Sequence, residues 1–215
     1  MNLAFPSHAP VTLPVIGTDA RFPLHRIYCV GRNYNDHVKE MGGVVGRDPP
    51  FFFAKPNDAI VTDGKFPYPA MSENVHYETE LVVALGPGAR IFGYAVGIDF
   101  TRRDLQTEAK KLGRAWETAK AFDFSAPISP ILPMTSFLEK GAMTLDVNGA
   151  RVQSTDIAEM IWSVREIIPA LAQYFILKSG DIIFTGTPAG VGAVQKGDRL
   201  HAEIAAIGSL DVVVT

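Results

Sequence analysis

The apolar positions of this chain fall mostly in short runs bounded by turn residues, continuous or alternating with a period of two, the pattern of strands that bury one face or both in a sheet. Val75 to Leu85 and Ile91 to Phe100 read as a strand pair around the turn Gly86-Pro87-Gly88. Arg26 to Val30 reads as a short strand ending at Gly31, and Phe51 to Ala54 as a buried strand stopped by Lys55-Pro56. Asn148-Gly149, between Leu145–Val147 and Ala150–Gln153, is a two-residue hairpin signal. Asp181 to Phe184, Arg199 to Ile207 and Leu210 to Val214 complete the strands. Helical spacing is rarer. Asn33 to Met41 fits one or two turns closed by Gly42-Gly43. Thr101 to Leu112 fits a helix capped by Thr101, with Asp104 in its first turn and Gly113 at its end. The strongest apolar stripe at helical spacing is Ile157, Met160, Ile161, Val164, Ile168 and Leu171. Asp156 and Glu159 stand before it as a capping box, and Pro169 is expected to kink or divide it. Four prolines among the first 25 residues suit an extended arm or edge strands. Strands outnumber helices, so the pattern predicts a β-rich α+β domain with a few short helices.

Composition narrows this little. The 215 residues are 47% apolar and 20% charged, which is ordinary for a soluble globular chain. A formal charge of −3 gives no electrostatic reason to expect nucleic acid or an anionic membrane as partner. No run of about 18 apolar residues occurs, and the N-terminus lacks the basic region of a signal peptide. A single cysteine, Cys29, leaves no disulfide framework and no cysteine-based zinc site, and a reducing cytoplasm is the expected compartment. Cys29 precedes Val30 in a strand and reads as core.

The chemistry concentrates in acidic and basic residues at strand and helix spacing. Glu78 and Glu80 are two apart on a strand and project to one face, with Val82 and Ala84 continuing that face inward. Either they sit at an exposed strand start, or a hard cation such as Mg²⁺ or Mn²⁺ neutralises them in the interior. Asp99 closes the apolar strand Ile91–Ile98 and reads as a helix cap or as a third ligand. His37 and Glu40 share one face of a helical turn, which is an exposed turn or an oriented acid–base pair. Arg103, Gln106 and Lys110 share a face of the next helix, which is a solvated basic face or a grip on a substrate carboxylate. Lys120 sits among Trp116, Ala119 and Phe122, as a surface lysine covering Trp116 or as a group stabilising an oxyanion or enolate. Gly186-Thr187-Pro188-Ala189-Gly190-Val191-Gly192 lacks the Gly-Lys-Ser/Thr ending of a P-loop and the last glycine of a dinucleotide fingerprint. It reads as a tight turn placing Thr187 at a pocket edge. No Gly-x-Ser-x-Gly elbow is present.

Six stretches together resemble the fumarylacetoacetate hydrolase superfamily in order and spacing. They are Gly31-Arg32-Asn33-Tyr34 with His37 and Glu40, Phe53-Ala54-Lys55-Pro56, His76-Tyr77-Glu78-Thr79-Glu80, Gly97 to Asp104, Ala119-Lys120, and Gly186 to Gly192. The similarity runs from about Ile27 to Val213. It implies a β-roll of mixed sheets, with residues 1–25 as an N-terminal arm and 26–215 as the catalytic domain. It implies one divalent cation, Mg²⁺ or Mn²⁺, per subunit on Glu78, Glu80 and Asp99. It places the acid–base dyad on His37 and Glu40, the catalytic lysine on Lys120, and substrate contacts on Arg103, Gln106 and Thr187. Lys55 is expected either to reach a distal carboxylate of the substrate or to be structural. The stretches Arg26 to Tyr34, Pro49 to Pro56, Asp104 to Lys111 and Trp116 to Lys120 are similar to the members that hydrolyse fumarylpyruvate in gentisate-type aromatic degradation, although Asn35 and Thr79 depart from that pattern. The resemblance therefore implies hydrolysis of a carbon–carbon bond in a small 2,4-dioxo acid by a homodimer. An oxaloacetate decarboxylase or a 2-hydroxyhepta-2,4-diene-1,7-dioate-type isomerase on the same scaffold is the alternative, and a non-enzymatic binder of dicarboxylates is another.

Overall fold

The computed structural model describes residues 3–215. Its centre is a six-stranded sheet in the order Leu132–Pro133, Ile91–Ile98, Thr79–Leu85, Ile182–Phe184, Ile27–Gly31 and Phe51–Lys55. Neighbours run antiparallel except Ile182–Phe184 and Ile27–Gly31, which are parallel. A five-stranded sheet lies against one face, in the order Ala150–Asp156, Ala142–Val147, Arg199–Ile204, Gly208–Val214 and Lys65–Phe66, with only the last pair parallel. The expected β-rich α+β architecture of mixed sheets with short helices is what the chain adopts. Among the described residues no helix is long and apolar enough to cross a membrane.

The period of two decides which residue goes where. Leu81, Val83 and Leu85 point towards the five-stranded sheet and meet Met143, Leu145, Leu200 and Val212 there. Val82 and Ala84 point the other way and join Ile27, Cys29 and Phe184. Leu13 and Phe22 cover that second face from the paired segments Thr12–Pro14 and Arg21–Pro23. Both faces are thus covered, and every residue of Thr79–Leu85 is buried.

Several local expectations give way to tertiary contacts. Phe51–Lys55 is an edge strand rather than a buried one: Phe51 and Ala54 are exposed, and Lys55 is its buried residue. Thr101 does not cap a helix. Thr101–Arg102 pairs with Val75–Tyr77, and the helix begins at Arg103 and ends at Lys111. The Asp104 carboxylate anchors that helix start by accepting from the Ser72 hydroxyl and the Glu73 and Leu105 N–H groups. The apolar stripe from Ile157 to Leu171 divides between residues 159 and 164, not at Pro169, which lies inside the helix Val164–Ala172. The capping box is Ser163 with Glu166, while Asp156 caps only the short 3₁₀ turn Ile157–Glu159 and Glu159 accepts from Thr155. The division falls there because the Asn33 side chain takes both the N–H and the carbonyl of Trp162 out of any helical ladder.

The break that matters most is in the central hairpin. Val75–Tyr77 belongs to a small sheet with Thr101–Arg102 and Gly192–Ala193, whereas Thr79–Leu85 pairs with Ile91–Ile98 in the large one. Both strands change sheet together, at Glu78 and Asp99, and the Asp99 N–H bonds the Glu78 carbonyl across the corner. Just beyond it Phe100 stacks on Phe66, with ring centroids 3.7 Å apart, and ties the corner to the five-stranded sheet. Replacing Phe66 with Ala should lower the unfolding free energy by about 3–5 kcal/mol in urea titrations, the usual range for a fully buried phenylalanine. A loss below about 1 kcal/mol would show that this contact does not hold the corner.

Candidate active site

The sheet corner brings Glu78, Glu80 and Asp99 together. Each offers an oxygen within 4.8 Å of the others, and the three side chains are buried, at 5%, 2% and 0% exposure. The alternative of an exposed strand start is therefore excluded, and Asp99 caps no helix. Isolated carboxylates in such a place would be unstable, and three cations stand against them. The Arg103 guanidinium bonds Glu78. The Lys120 ammonium bridges Glu78 at 2.7 Å and Asp99 at 2.6 Å. The Lys55 ammonium lies 2.8 Å from Asp99 Oδ1. It directs its hydrogens at the Lys120 carbonyl, the Ser125 hydroxyl and, more weakly, the Phe100 carbonyl. Asp99 Oδ1 thus feels a charge and receives no hydrogen bond.

The protonation states follow from this distribution. Burial works to raise the Glu78 pKa, but Lys120 and Arg103 outweigh it and hold Glu78 below the usual carboxylate range. Burial likewise works to lower the Lys120 pKa, and Asp99 and Glu78 raise it above that of an ordinary lysine, so this side chain is a fixed ammonium and not a base. Glu80 is the exception. Burial, then the Asp99 and Glu78 charges, push it well above the ordinary range, and its one hydrogen bond comes from the Gly186 N–H at 2.7 Å. All three donors are carboxylate oxygens, one is orphaned, and one acid lacks a cation of its own. That set fits a hard divalent cation.

The cluster opens into a cleft lined also by His37, Arg103, Gln106, Lys120 and Thr187, so six of the seven residues expected to act beside the metal ligands meet the same cavity or, for Glu40, its lining histidine. The His37 ring bonds Glu40 through Nδ1 at 3.0 Å, which leaves Nε2 free of Glu40. The second Glu40 oxygen accepts from the Gly190 N–H. The Arg103 guanidinium is aligned by Gln106 Oε1 at 2.7 Å and by His76 Nδ1. Burial, then Arg103, lower the His76 pKa to about 4, so its ring is neutral and accepts. The Thr187 hydroxyl accepts from the Gln153 amide at 3.0 Å, which leaves its proton to donate. The seventh residue, Lys55, is placed otherwise. Its side chain is wholly buried behind Asp99 and does not line the cleft, so it has no reach towards a distal carboxylate.

Three positioning groups escape a reading of the sequence. Gln153 holds the Thr79 N–H, the Thr187 hydroxyl and the Pro188 carbonyl at once. Asn33 bonds the Thr185 carbonyl as well as Trp162. The glycine-rich loop does more than present Thr187: its Gly186 and Gly190 N–H groups fix Glu80 and Glu40. Gly190 has φ +96° and a Cβ there would meet the Val152 carbonyl oxygen at 2.1 Å, so only glycine fits. The available signals were a polar residue in a strand and glycines around Thr187, neither of which names a partner.

The sequence profile described as "Fumarylacetoacetate (FAA) hydrolase C-terminal" matches residues 26–215. The chain belongs to this family. A fumarylpyruvate hydrolase of a Ralstonia species is 43% identical over 176 residues, covering 76% of this chain and 92% of that protein. An oxaloacetate tautomerase of Escherichia coli is 40% identical over 194 residues, covering 83% and 88%. Among solved family structures, the fumarylpyruvate hydrolase of Pseudomonas aeruginosa in complex with Mn²⁺ and pyruvate superposes with a TM-score of 0.96 at 46% identity, covering 100% of this chain and 99% of that one.

A cation on this cluster needs Glu80 as a carboxylate, so loading must expel the proton that its raised pKa retains. Calorimetric titration with Mn²⁺ in buffers of different ionisation enthalpy should report release of about one proton per ion below the raised pKa. Affinity should climb with pH and level off once Glu80 is already ionised. Release near zero with pH-independent affinity would contradict the assignment.

Proposed function

We propose that this family member is an acylpyruvate hydrolase that cleaves fumarylpyruvate to fumarate and pyruvate with a divalent cation held by Glu78, Glu80 and Asp99. The observation that carries the proposal is that the carboxylate cluster and the His37–Glu40 pair face one cleft. A hydrolase needs both, a grip on the 2-oxo acid end and a base for water. The relatives that bear this activity in their names support it at 43% and 46% identity.

When bound, the cation would supply a Lewis acid and a template for the 2-oxo acid end of the substrate. The charges agree with that. Glu78 and Asp99 are paired with Arg103, Lys120 and Lys55, and Glu80 is left without a counter-charge for a cation to meet. His37, kept in one tautomer by Glu40, removes a proton from a water molecule. The resulting hydroxide adds to the carbonyl carbon beyond the methylene. The bond between that carbon and the methylene then breaks, and its electron pair leaves on the methylene carbon as the enolate of pyruvate. Protonation gives pyruvate, and the new carboxylate completes fumarate. The Lys120 ammonium has spent two of its three hydrogens on Glu78 and Asp99, and the third is available to the negative charge that develops. Arg103, Gln106 and Thr187 hold substrate oxygens.

The ion is Mg²⁺ or Mn²⁺, with Mn²⁺ having the precedent of the Pseudomonas aeruginosa relative. The described part of the arm, residues 3–25, and the domain 26–215 act as one unit, since Leu13 and Phe22 complete the core under Ile27. A homodimer is supported by the exposed apolar run Tyr174-Phe175-Ile176 beside the edge strand Phe51–Lys55. A cytoplasmic place in aromatic degradation fits the single buried cysteine and the substrate.

The test is loss of the enol absorbance of fumarylpyruvate, with oxaloacetate run in parallel. Activity should require Mn²⁺ or Mg²⁺ and disappear in EDTA. His37→Asn should lower kcat by about 10²–10⁴-fold, the span of a general base, with metal affinity unchanged. Faster tautomerisation of oxaloacetate than hydrolysis of any acylpyruvate, insensitive to His37→Asn, would reject hydrolysis as the function.

A further inference from the structure

One side of the cleft carries positive charge that neither the cation site nor the proposed chemistry uses. Arg32 and Lys110 both line the cleft, and both are exposed at its mouth. Among the described residues the ion pairs in and behind the cleft belong to His37, Arg103, Lys120 and the buried Lys55, and none to these two. They rest instead on aromatic faces. The Arg32 guanidinium lies over Phe51, 6.0 Å from the ring centre, and the Lys110 ammonium lies over Trp116 at 5.0 Å. Phe51 and Trp116 meet edge to face at 5.4 Å, so the four side chains form one continuous wall.

The wall is built in place. The Phe51 ring packs on Gly31 so closely that a Cβ there would stand 2.0 Å from it. Arg32 itself adopts the left-handed backbone region at φ 58°, uncommon for a side chain of its size. Shielding of the Lys110 ammonium at the mouth, then the Arg103 and Arg32 charges, lower its pKa to about 8. Lys110 feels the Arg103 and Arg32 charges ahead of that of Glu78, and among the described residues neither Arg32 nor Lys110 has an ion-pair partner, which marks a place where an anion is expected.

We infer that Arg32 and Lys110, seated on Phe51 and Trp116, form the subsite for the second carboxylate of a dianionic acylpyruvate, the one remote from the 2-oxo acid end. This rests on the acylpyruvate reading of the site and names what selects among acylpyruvates. It also gives the distal carboxylate a holder where Lys55 has no access.

The test compares fumarylpyruvate with acetylpyruvate, which ends in a methyl group in place of the unsaturated acid. In Lys110→Met and in Arg32→Gln the preference for fumarylpyruvate in kcat/KM should fall by about tenfold or more, carried by KM, as expected on losing a charge-assisted hydrogen bond. Lys110→Arg, which keeps the charge, should retain the preference. An equal loss with both substrates, or none with either, overturns the subsite. Failure of the wild-type protein to hydrolyse either substrate would instead count against the hydrolase reading. The subsite then has its own readout, because fumarate should bind more tightly than crotonate, its methyl-ended analogue, and Lys110→Met should erase that difference in calorimetric titrations. Equal binding of fumarate and crotonate by the wild type overturns it without any turnover.

Discussion

Three buried acidic side chains, two of them held by three basic ones and the third left without a counter-charge, are the constraint around which this protein is organised. Burying a carboxylate is costly, and the cost is offset only if each acid has a counter-charge in contact. Arg103 and Lys120 serve Glu78, and Lys120 and Lys55 serve Asp99. Glu80 has a single backbone N–H. The folded chain therefore carries an unmet electrostatic demand at one point, of the kind a divalent cation would answer.

The fold serves that arrangement by bending a hairpin. Had the strands through Glu78 and Asp99 run straight in one sheet, strand alternation would have carried these side chains to places set by the sheet alone. The change of sheet at this corner lets Glu78, Glu80 and Asp99 converge. The supports come from distant segments: Lys55 from an edge strand, Lys120 from the short helix Glu117–Lys120, and Gly186 from the loop after Ile182–Phe184. That loop also fixes Glu40 through Gly190, so a single backbone segment holds both a member of the carboxylate cluster and the partner of His37.

What the sequence revealed follows the range of its signals. Period-two alternation located the long strands, and Asn148-Gly149 marked its hairpin, with both residues at positive φ as such a turn requires. The acidic residues were legible because Glu78-x-Glu80 and Asp99 are polar interruptions in strands otherwise apolar. Long-range contacts were not legible. The helix expected through Met160 is cut by Asn33, some 130 positions away, and local propensity carries no trace of that bond. Lys55 ends the run Phe51–Ala54 that looks like a core strand, yet Phe51 and Ala54 are exposed, Phe52 and Phe53 are only partly buried, and the lysine is the buried residue. Lys110 continued a basic helix face with Lys111, and only the structure shows that it leans on Trp116 at the cleft mouth.

The central claim is that this cluster is a cation site and not merely a buried ionic network. Electron paramagnetic resonance of free Mn²⁺ in the presence of the protein measures it without substrate or turnover. The account predicts that the wild-type chain removes about one Mn²⁺ per subunit from solution, and that Glu80→Gln and Asp99→Asn, folded by circular dichroism, remove almost none at the same concentration. Equal Mn²⁺ uptake by the folded variants, or no uptake by the wild type, would contradict it.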